Sequence, residues 1–145
     1  MATRRAEATW EGDLAGGSGR AELDSGVAGG LDVNWKARTE GGAQTSPEEL
    51  LAAAHASCFA MALSHELGEA GNPPQRLSVS AAVSFDAVEG GFAVTTSKLK
   101  VRGVVPGVDD DAFQEAARGA AQGCPISGAL KGNVDISVEA ELEQG

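Results

Sequence analysis

From Leu50 to Leu63 the chain reads as an Ala- and Leu-rich run with few polar interruptions, and any fold has to bury it. Its start is well marked by Ser46-Pro47-Glu48-Glu49. Ser46 suits an N-cap, Pro47 tolerates the first helical position, and Glu49 stands where a capping-box carboxylate returns a hydrogen bond. The spacing predicts a helix to about Leu67, stopped by Gly68 and Gly71-Asn72-Pro73-Pro74. So apolar a helix is expected to be covered on most sides, which shields Cys58, in its middle, from bulk water.

The rest of the chain mostly alternates with a period of two. Residues 6 to 24 read as two strands joined by the turn Ala15-Gly16-Gly17-Ser18-Gly19-Arg20. That Gly-rich turn lacks the following Lys-Ser/Thr and helix of a phosphate loop. Leu31, Val33, Trp35 and Ala37 alternate with Asp32, Asn34, Lys36 and Arg38, which predicts a third strand through Asp32 to Arg38, with Arg38 on its polar face. Leu77 to Ala87 and Phe92 to Val105 predict a hairpin turning at Glu89-Gly90-Gly91. Asp109-Asp110-Asp111 precedes a helix over Ala112 to Gln122, as a cap rather than a calcium loop, because later EF-hand ligands are missing. Gly123 ends that helix, Cys124-Pro125 opens a short one to about Lys131, and Val134 to Leu142 form a last strand. Three strands, a helix, two strands, two helices and a strand make an α+β chain, expected to form a single domain over 1–145.

The 145 residues suffice for one hydrophobic core, and a net charge of −10 with no basic run beyond Arg4-Arg5 argues against nucleic-acid and anionic-membrane partners. No apolar stretch follows Arg4-Arg5, and no window approaches the roughly 20 apolar residues of a membrane span. A cytoplasmic protein is expected. In that reducing compartment two cysteines that bond are expected to cycle.

A nucleophilic cysteine must be a thiolate, which a neighbouring cation or a helix N-terminus favours. Cys58 lies mid-helix and needs a cation from elsewhere, whereas Cys124 faces backbone N–H groups at the start of the last helix. Position alone does not decide which attacks. His55 and His65 fall near the stripe of Cys58 on a helix, which suggests a Cys-His pair or a metal site. No Cys-x-x-Cys or His-x-x-x-His spacing supports metal, and His55 is expected to be packed or hydrogen-bonded.

The run Thr45-Ser46-Pro47-Glu48-Glu49-Leu50, continuing through Ala53-Ala54-His55-Ala56-Ser57-Cys58-Phe59, resembles the first cysteine helix of the OsmC/Ohr family, the osmotically inducible protein C and organic hydroperoxide resistance proteins. Leu67-Gly68-Glu69-Ala70-Gly71 and Gly123-Cys124-Pro125-Ile126-Ser127 are similar to further family blocks, in family order over essentially the whole chain. His55, and Trp35-Lys36-Ala37-Arg38-Thr39-Glu40-Gly41, resemble the OsmC branch more than the Ohr branch. The resemblance implies antiparallel sheets wrapped around central cysteine-bearing helices in an intertwined homodimer. It also implies a thiol peroxidase without metal, flavin or haem. In that scheme Cys58 attacks a hydroperoxide and becomes a sulfenic acid; Cys124 condenses with it to a disulfide; and an external dithiol reductant, such as a lipoylated protein, reduces the bond. Arg38 is the implied cation beside the thiolate, held by Glu48 in a bidentate pair, with Arg20 as competitor because the Ohr branch draws its arginine from the first strand–turn region. Without the resemblance, Arg38 reads as a solvated strand end and Glu48 as a favourable first-turn charge.

Glu48 and Cys58 are ten residues apart on one helix, a rise of roughly 15 Å. If both serve one site, Glu48 reaches the cysteine of a second subunit. Phe59, Met61, Leu63 and Ile126 would favour organic hydroperoxides if they line the site, and otherwise pack the core. The rival readings are a redox-responsive sensor using the same disulfide as a switch, and a non-redox binder with buried cysteines.

Overall fold

Residues 1–143 are described by this computed structural model and fall into two compact units, Met1–Leu50 and a second beginning at Leu51. The first holds β1 (Ala6–Glu11), β2 (Ser18–Leu23), β3 (Leu31–Val33), α1 (Trp35–Thr39) and the start of α2 (Pro47–Glu69). The second holds the rest of α2, then β4 (Arg76–Val88), β5 (Gly91–Val104), α3 (Asp110–Gly123), α4 (Pro125–Leu130) and β6 (Asp135–Glu143).

In the first unit β1, β2 and β3 form an antiparallel meander in chain order. Trp10 lies over its cross-strand partner Gly19, where a Cβ would fall 2.5 Å from the indole ring. β1 is exposed along its whole length, and Leu14, Leu23 and Val27 are exposed as well. The predicted strand through Asp32 to Arg38 is corrected: it stops at Val33, and Trp35–Thr39 is helical. The Asn34 side chain accepts a hydrogen bond from Ala37 N–H at 2.7 Å, and this N-cap outweighs the two-residue alternation.

α2 starts as predicted, with Ser46 Oγ accepting from Glu49 N–H at 3.1 Å. The reciprocal capping-box bond is replaced by one from the Thr45 hydroxyl to the Glu49 carboxylate. The helix runs two residues past Leu67, and Asn72 N–H then bonds the Leu67 carbonyl at 2.9 Å while Gly71 takes a positive φ of 88°. Cover on most sides is not what is found. His55, Phe59, Leu63 and Leu67 form one buried stripe at four-residue spacing, whereas Ala53, Ala54, Ser57 and Ser64 are exposed and Met61 is 70 % exposed. By length and composition α2 is also apolar enough to cross a membrane, contrary to the reading of the sequence windows. Its buried stripe is instead built into a protein core.

That core packs Phe59, Leu63 and Leu67 with Leu99 and Val101 of β5 and Phe113, Ala117 and Ala120 of α3. Gly103 admits the Phe113 ring, since a Cβ there would stand 2.7 Å from it. The β4–β5 hairpin turns as predicted at Glu89-Gly90, with Gly90 at φ 87° and Val88 paired to Gly91. β6 lies parallel to β5, so this sheet is mixed and not wholly antiparallel. The helical crossover through α3 and α4 returns the chain to the same end of the sheet, which makes a parallel strand possible. α3 is capped by Asp109, whose carboxylate accepts from Ala112 N–H at 2.8 Å, with Asp110 and Asp111 in the first turn as expected.

Leu63 sits at 0 % exposure in the middle of the stripe. Leu63→Ala is expected to lower unfolding free energy by about 2–5 kcal/mol in urea titrations at one fixed protein concentration, whereas Ser64→Ala should change it by less than about 0.5 kcal/mol.

Candidate active site

α2 carries Cys58 on the flank of its buried stripe, and Cys124 caps α4. The two sulfurs meet, with Cys124 Sγ donating to Cys58 Sγ at 3.2 Å. Both cysteines are free thiols in this state. Cys124 is 1 % exposed and belongs to the core. Cys58 is half-buried and opens into a cavity of about 530 Å³ walled by Ala54, Met61, His65, Pro125 and Ile126 among others. One sulfur is therefore accessible and the other is packed behind it.

Their acidities are ordered oppositely. Burial pushes the Cys58 thiol up, against a lowering contribution from the Ile126 N–H, and proximity to Cys124 pushes it further up. Burial also raises Cys124, but the Ser127 hydroxyl, the backbone N–H groups of Ser127 and Ile126, and the Cys58 thiol together bring it below its ordinary value. The sulfur makes no closed N-cap bond, so the N–H groups act on it as oriented dipoles. Between the two protonated thiols the structure has Cys124 as the donor and Cys58 as the acceptor.

His65 shares the cavity-lining face of α2 with Cys58, as expected, whereas His55 lies off that face. His65 lines the cavity beside Glu66, while His55 is fully buried on the core face, as a packed, hydrogen-bonded residue. Its Nδ1 lies 2.7 Å from Ser97 Oγ on β5 and its Nε2 2.7 Å from Ser127 Oγ on α4. Ser97 and Ser127 were not singled out from the sequence. Ser97 had a signal: it occupies the same inward phase of β5 as Leu99 and Val101, where a polar residue needs a partner. Burial lowers the His55 pKa below its ordinary value, so the ring is neutral near pH 7.

The first unit brings Arg38 and Glu48 together. Arg38 Nε and Nη2 donate to the two carboxylate oxygens of Glu48 at 3.1 and 2.8 Å, and the guanidinium lies 5.7 Å from the Trp35 ring centre. Glu48 is buried, so this fork and the start of α2 satisfy its charge. Trp10, Leu14, Val33, Trp35 and Pro47 surround Arg38 with a mostly apolar cavity of about 260 Å³. Arg20, the competitor, is instead exposed and occupied with Glu22 at 3.5 Å and Asp32 at 3.4 Å. Phe59 and Leu63 pack the core, while Met61 and Ile126 line the cavity at Cys58. Among the described residues no group of three or more His, Cys, Asp and Glu side chains is arranged to hold a metal.

Comparison with known proteins gives consistent matches. The family described as OsmC-like protein matches residues 39–139. The chain is 42 % identical to peroxiredoxin OsmC of Escherichia coli over 94 % of this chain and 95 % of that protein. It is 36 % identical to the organic hydroperoxide resistance protein OhrB of Bacillus subtilis over 86 % of this chain and 90 % of that one. The crystal structure of OhrB superimposes with a TM-score of 0.75, at 33 % identity, over 94 % of this chain and 98 % of that chain.

The depressed His55 pKa links folding to pH. The unfolded state binds more protons than the folded state between the folded value and the ordinary one near 6.5, so stability rises with pH across that window. Its contribution is complete above about pH 6.5 and is lost as pH falls through the folded value. Urea midpoints at pH 7.5 and 5.5 are expected to separate more for the wild type than for His55→Gln; equal separations would show that His55 does not titrate on unfolding.

Proposed function

The chain belongs to the OsmC-like protein family, and we propose that it reduces organic hydroperoxides with Cys58 and Cys124, as a thiol peroxidase that carries no bound cofactor. Relatives named peroxiredoxin and organic hydroperoxide resistance protein support a role in peroxide detoxification. The observation that carries the finer reading is the 3.2 Å contact between an accessible sulfur and a buried one. An accessible cysteine can meet a peroxide, and a buried neighbour can condense with the product.

In this reading the Cys58 thiolate attacks the terminal peroxide oxygen; the S–O bond forms, the O–O bond breaks, and the alkoxide leaves with a proton as alcohol. Cys124, as thiolate, then attacks the Cys58 sulfenic acid; the S–S bond forms and hydroxide leaves, taking up a proton as water. An external dithiol, of the kind carried on lipoylated proteins, reduces the disulfide and is itself oxidised to one. Apolar Ala54, Met61 and Ile126 around Cys58 suit an alkyl or aryl hydroperoxide.

Burial raises Cys58, so a cation is needed to make it a thiolate and to stabilise the leaving oxygen. Arg38, clamped by Glu48, is that cation. Ten residues of helix separate Glu48 from Cys58, roughly 15 Å of rise, so the pair serves the cysteine of a second subunit. Exposed β1 and the uncovered side of α2 support a homodimer in which those surfaces are covered. Dependence on a reduced dithiol supports a cytoplasmic setting, where dithiols are kept reduced.

A redox switch with the same disulfide is the second reading, favoured by the raised Cys58 thiol, which suits slow oxidation. Steady-state consumption of cumene hydroperoxide and hydrogen peroxide with a dithiol separates the two. Repeated turnover, faster on the organic substrate and abolished in Cys58→Ser, is expected; a single oxidation that then stops supports the switch. Arg38→Ala should slow peroxide attack by about 10²-fold or more, whereas Arg20→Ala should change it little. Loss in Arg20→Ala alone would transfer the role to Arg20. Sedimentation at micromolar concentration should give a dimer, and a monomer there would remove the shared site.

A further inference from the structure

We infer that His55 is a positioning residue for disulfide closure: its hydrogen bond to Ser127 locks α4 against α2 in the register that sets Cys124 on Cys58. The inference deepens the peroxidase reading and rests on it for its catalytic consequence, though not for its geometry.

Two helices present matching pairs of residues three apart. α2 carries His55 and Cys58, and α4 with its cap carries Cys124 and Ser127. Residues at i and i+3 share a helix face, so each pair forms one edge of a two-rung ladder. One rung runs from His55 Nε2 to Ser127 Oγ at 2.7 Å, and the other is the 3.2 Å contact of the sulfurs. The first rung is braced from behind, because His55 Nδ1 lies 2.7 Å from Ser97 Oγ on β5 and the ring is 0 % exposed. A neutral ring keeps both bonds whichever nitrogen carries the proton, since one serine then donates and the other accepts. Buried as it is, the ring has no bulk water competing for either bond.

What the rung adds is direction. Cys124 is the joint between α3 and α4: its N–H bonds the Ala120 carbonyl at 2.9 Å, and its carbonyl accepts from Gly128 N–H at 3.0 Å. α4 is six residues long, and the chain leaves it through Gly132 at φ 91°. Cys124 and Ile126 pack against the core, but apolar contact holds a helix without fixing how it is turned. Among the described residues, the Ser127 hydroxyl makes the only side-chain hydrogen bond from α4 to another element. A disulfide forms at about 2 Å and over a narrow range of dihedral angle, so a small rotation of α4 about its joint takes the sulfurs out of reach. In the step served, the Cys124 thiolate attacks the Cys58 sulfenic acid, the S–S bond forms, the S–O bond breaks, and hydroxide leaves to become water. The oxidant is the hydroperoxide that made the sulfenic acid. The rung raises the effective concentration of Cys124 at that sulfur.

The same closing step can be driven without peroxide. Cys58 attacks oxidised glutathione and one glutathione leaves; Cys124 then attacks the Cys58 sulfur of the mixed disulfide and expels the second, so two electrons pass to give two reduced glutathiones. The test is the equilibrium constant for the Cys58–Cys124 disulfide in glutathione redox buffers at pH 7.5, read by mass after acid quenching and thiol labelling. Ser127→Ala is expected to lower it about tenfold. His55→Asn, whose amide nitrogen falls near Nδ1 and so keeps Ser97 while giving up Ser127, should lower it similarly, and the double variant no further. His55→Gln, whose amide nitrogen can stand where Nε2 does, should stay within about threefold of the wild type. Leu63→Ala, which weakens the core without touching either rung, should stay there too. An unmoved constant in Ser127→Ala, losses that add in the double variant, or an equal loss in Leu63→Ala overturns the inference. If the Asn variant does not fold, the comparison of Ser127→Ala with His55→Gln and Leu63→Ala decides. Constants that move as expected in a protein without turnover of cumene hydroperoxide would sink the peroxidase reading and leave the rung standing. Turnover with unmoved constants would do the reverse.

Discussion

One face of α2 organises the second unit. Phe59, Leu63 and Leu67 supply the apolar part of the buried stripe, and His55 continues it with a polar ring that cannot be buried alone. Its partners come from two different elements, Ser97 on β5 and Ser127 on α4. The hydrogen-bonding demand of one imidazole thus ties α4 to α2, and α4 carries Cys124 with it. Cys58 lies next to Phe59 in sequence, at the margin of the stripe, so packing the stripe leaves this sulfur at the edge of the core. Contact between the sulfurs follows from how the helix is buried.

That packing distributes reactivity unevenly. The sulfur a peroxide can reach is the poorer thiolate, and the better thiolate is sealed in the core. The order suits two successive steps with different needs. In the proposed cycle the open site would receive a cation from a second subunit, whereas Cys124, as the resolving sulfur, would rely on groups of its own chain. A buried thiolate supported by hydrogen bonds is also protected from oxidants that would carry it to higher oxidation states.

Most of this architecture was legible in the sequence because it rests on local rules. Ser46, Asp109 and Gly90 act where cap and turn chemistry put them, and the alternation over Leu77–Ala87 and Ile136–Leu142 gave the strands. Trp35 to Arg38 failed for an equally local reason: alternating apolar and polar residues also fit one turn of helix, and the Asn34 cap, not the period, decided. The direction of β6 was not legible, since a strand's pattern is the same for parallel and antiparallel neighbours. Among the site residues, the cysteines and the Arg38–Glu48 pair were visible through a resemblance to known blocks. The serines around His55 were not, because they lie far apart in sequence and only the fold brings them to one ring.

The Arg38–Glu48 fork shows why such a pair can be prepared before any substrate arrives. Glu48 is buried at the start of a helix, where backbone N–H groups already favour a negative charge. A buried carboxylate without a partner would be costly, so folding of the first unit itself requires a cation in reach. Arg38 meets that demand with two bonds in the plane of its guanidinium, and the Trp35 ring limits how the group can turn. The orientation of the positive charge is therefore fixed by the stability of the local fold. A cation held in this way loses little further freedom when charge develops on an oxygen beside it, which is the condition for electrostatic stabilisation without reorganisation. The exposed apolar residues of the same unit then have a physical counterpart in the homodimer proposed above: surface left uncovered by one chain favours association, and in that proposal association would bring a pre-set guanidinium to a sulfur whose pKa burial raises.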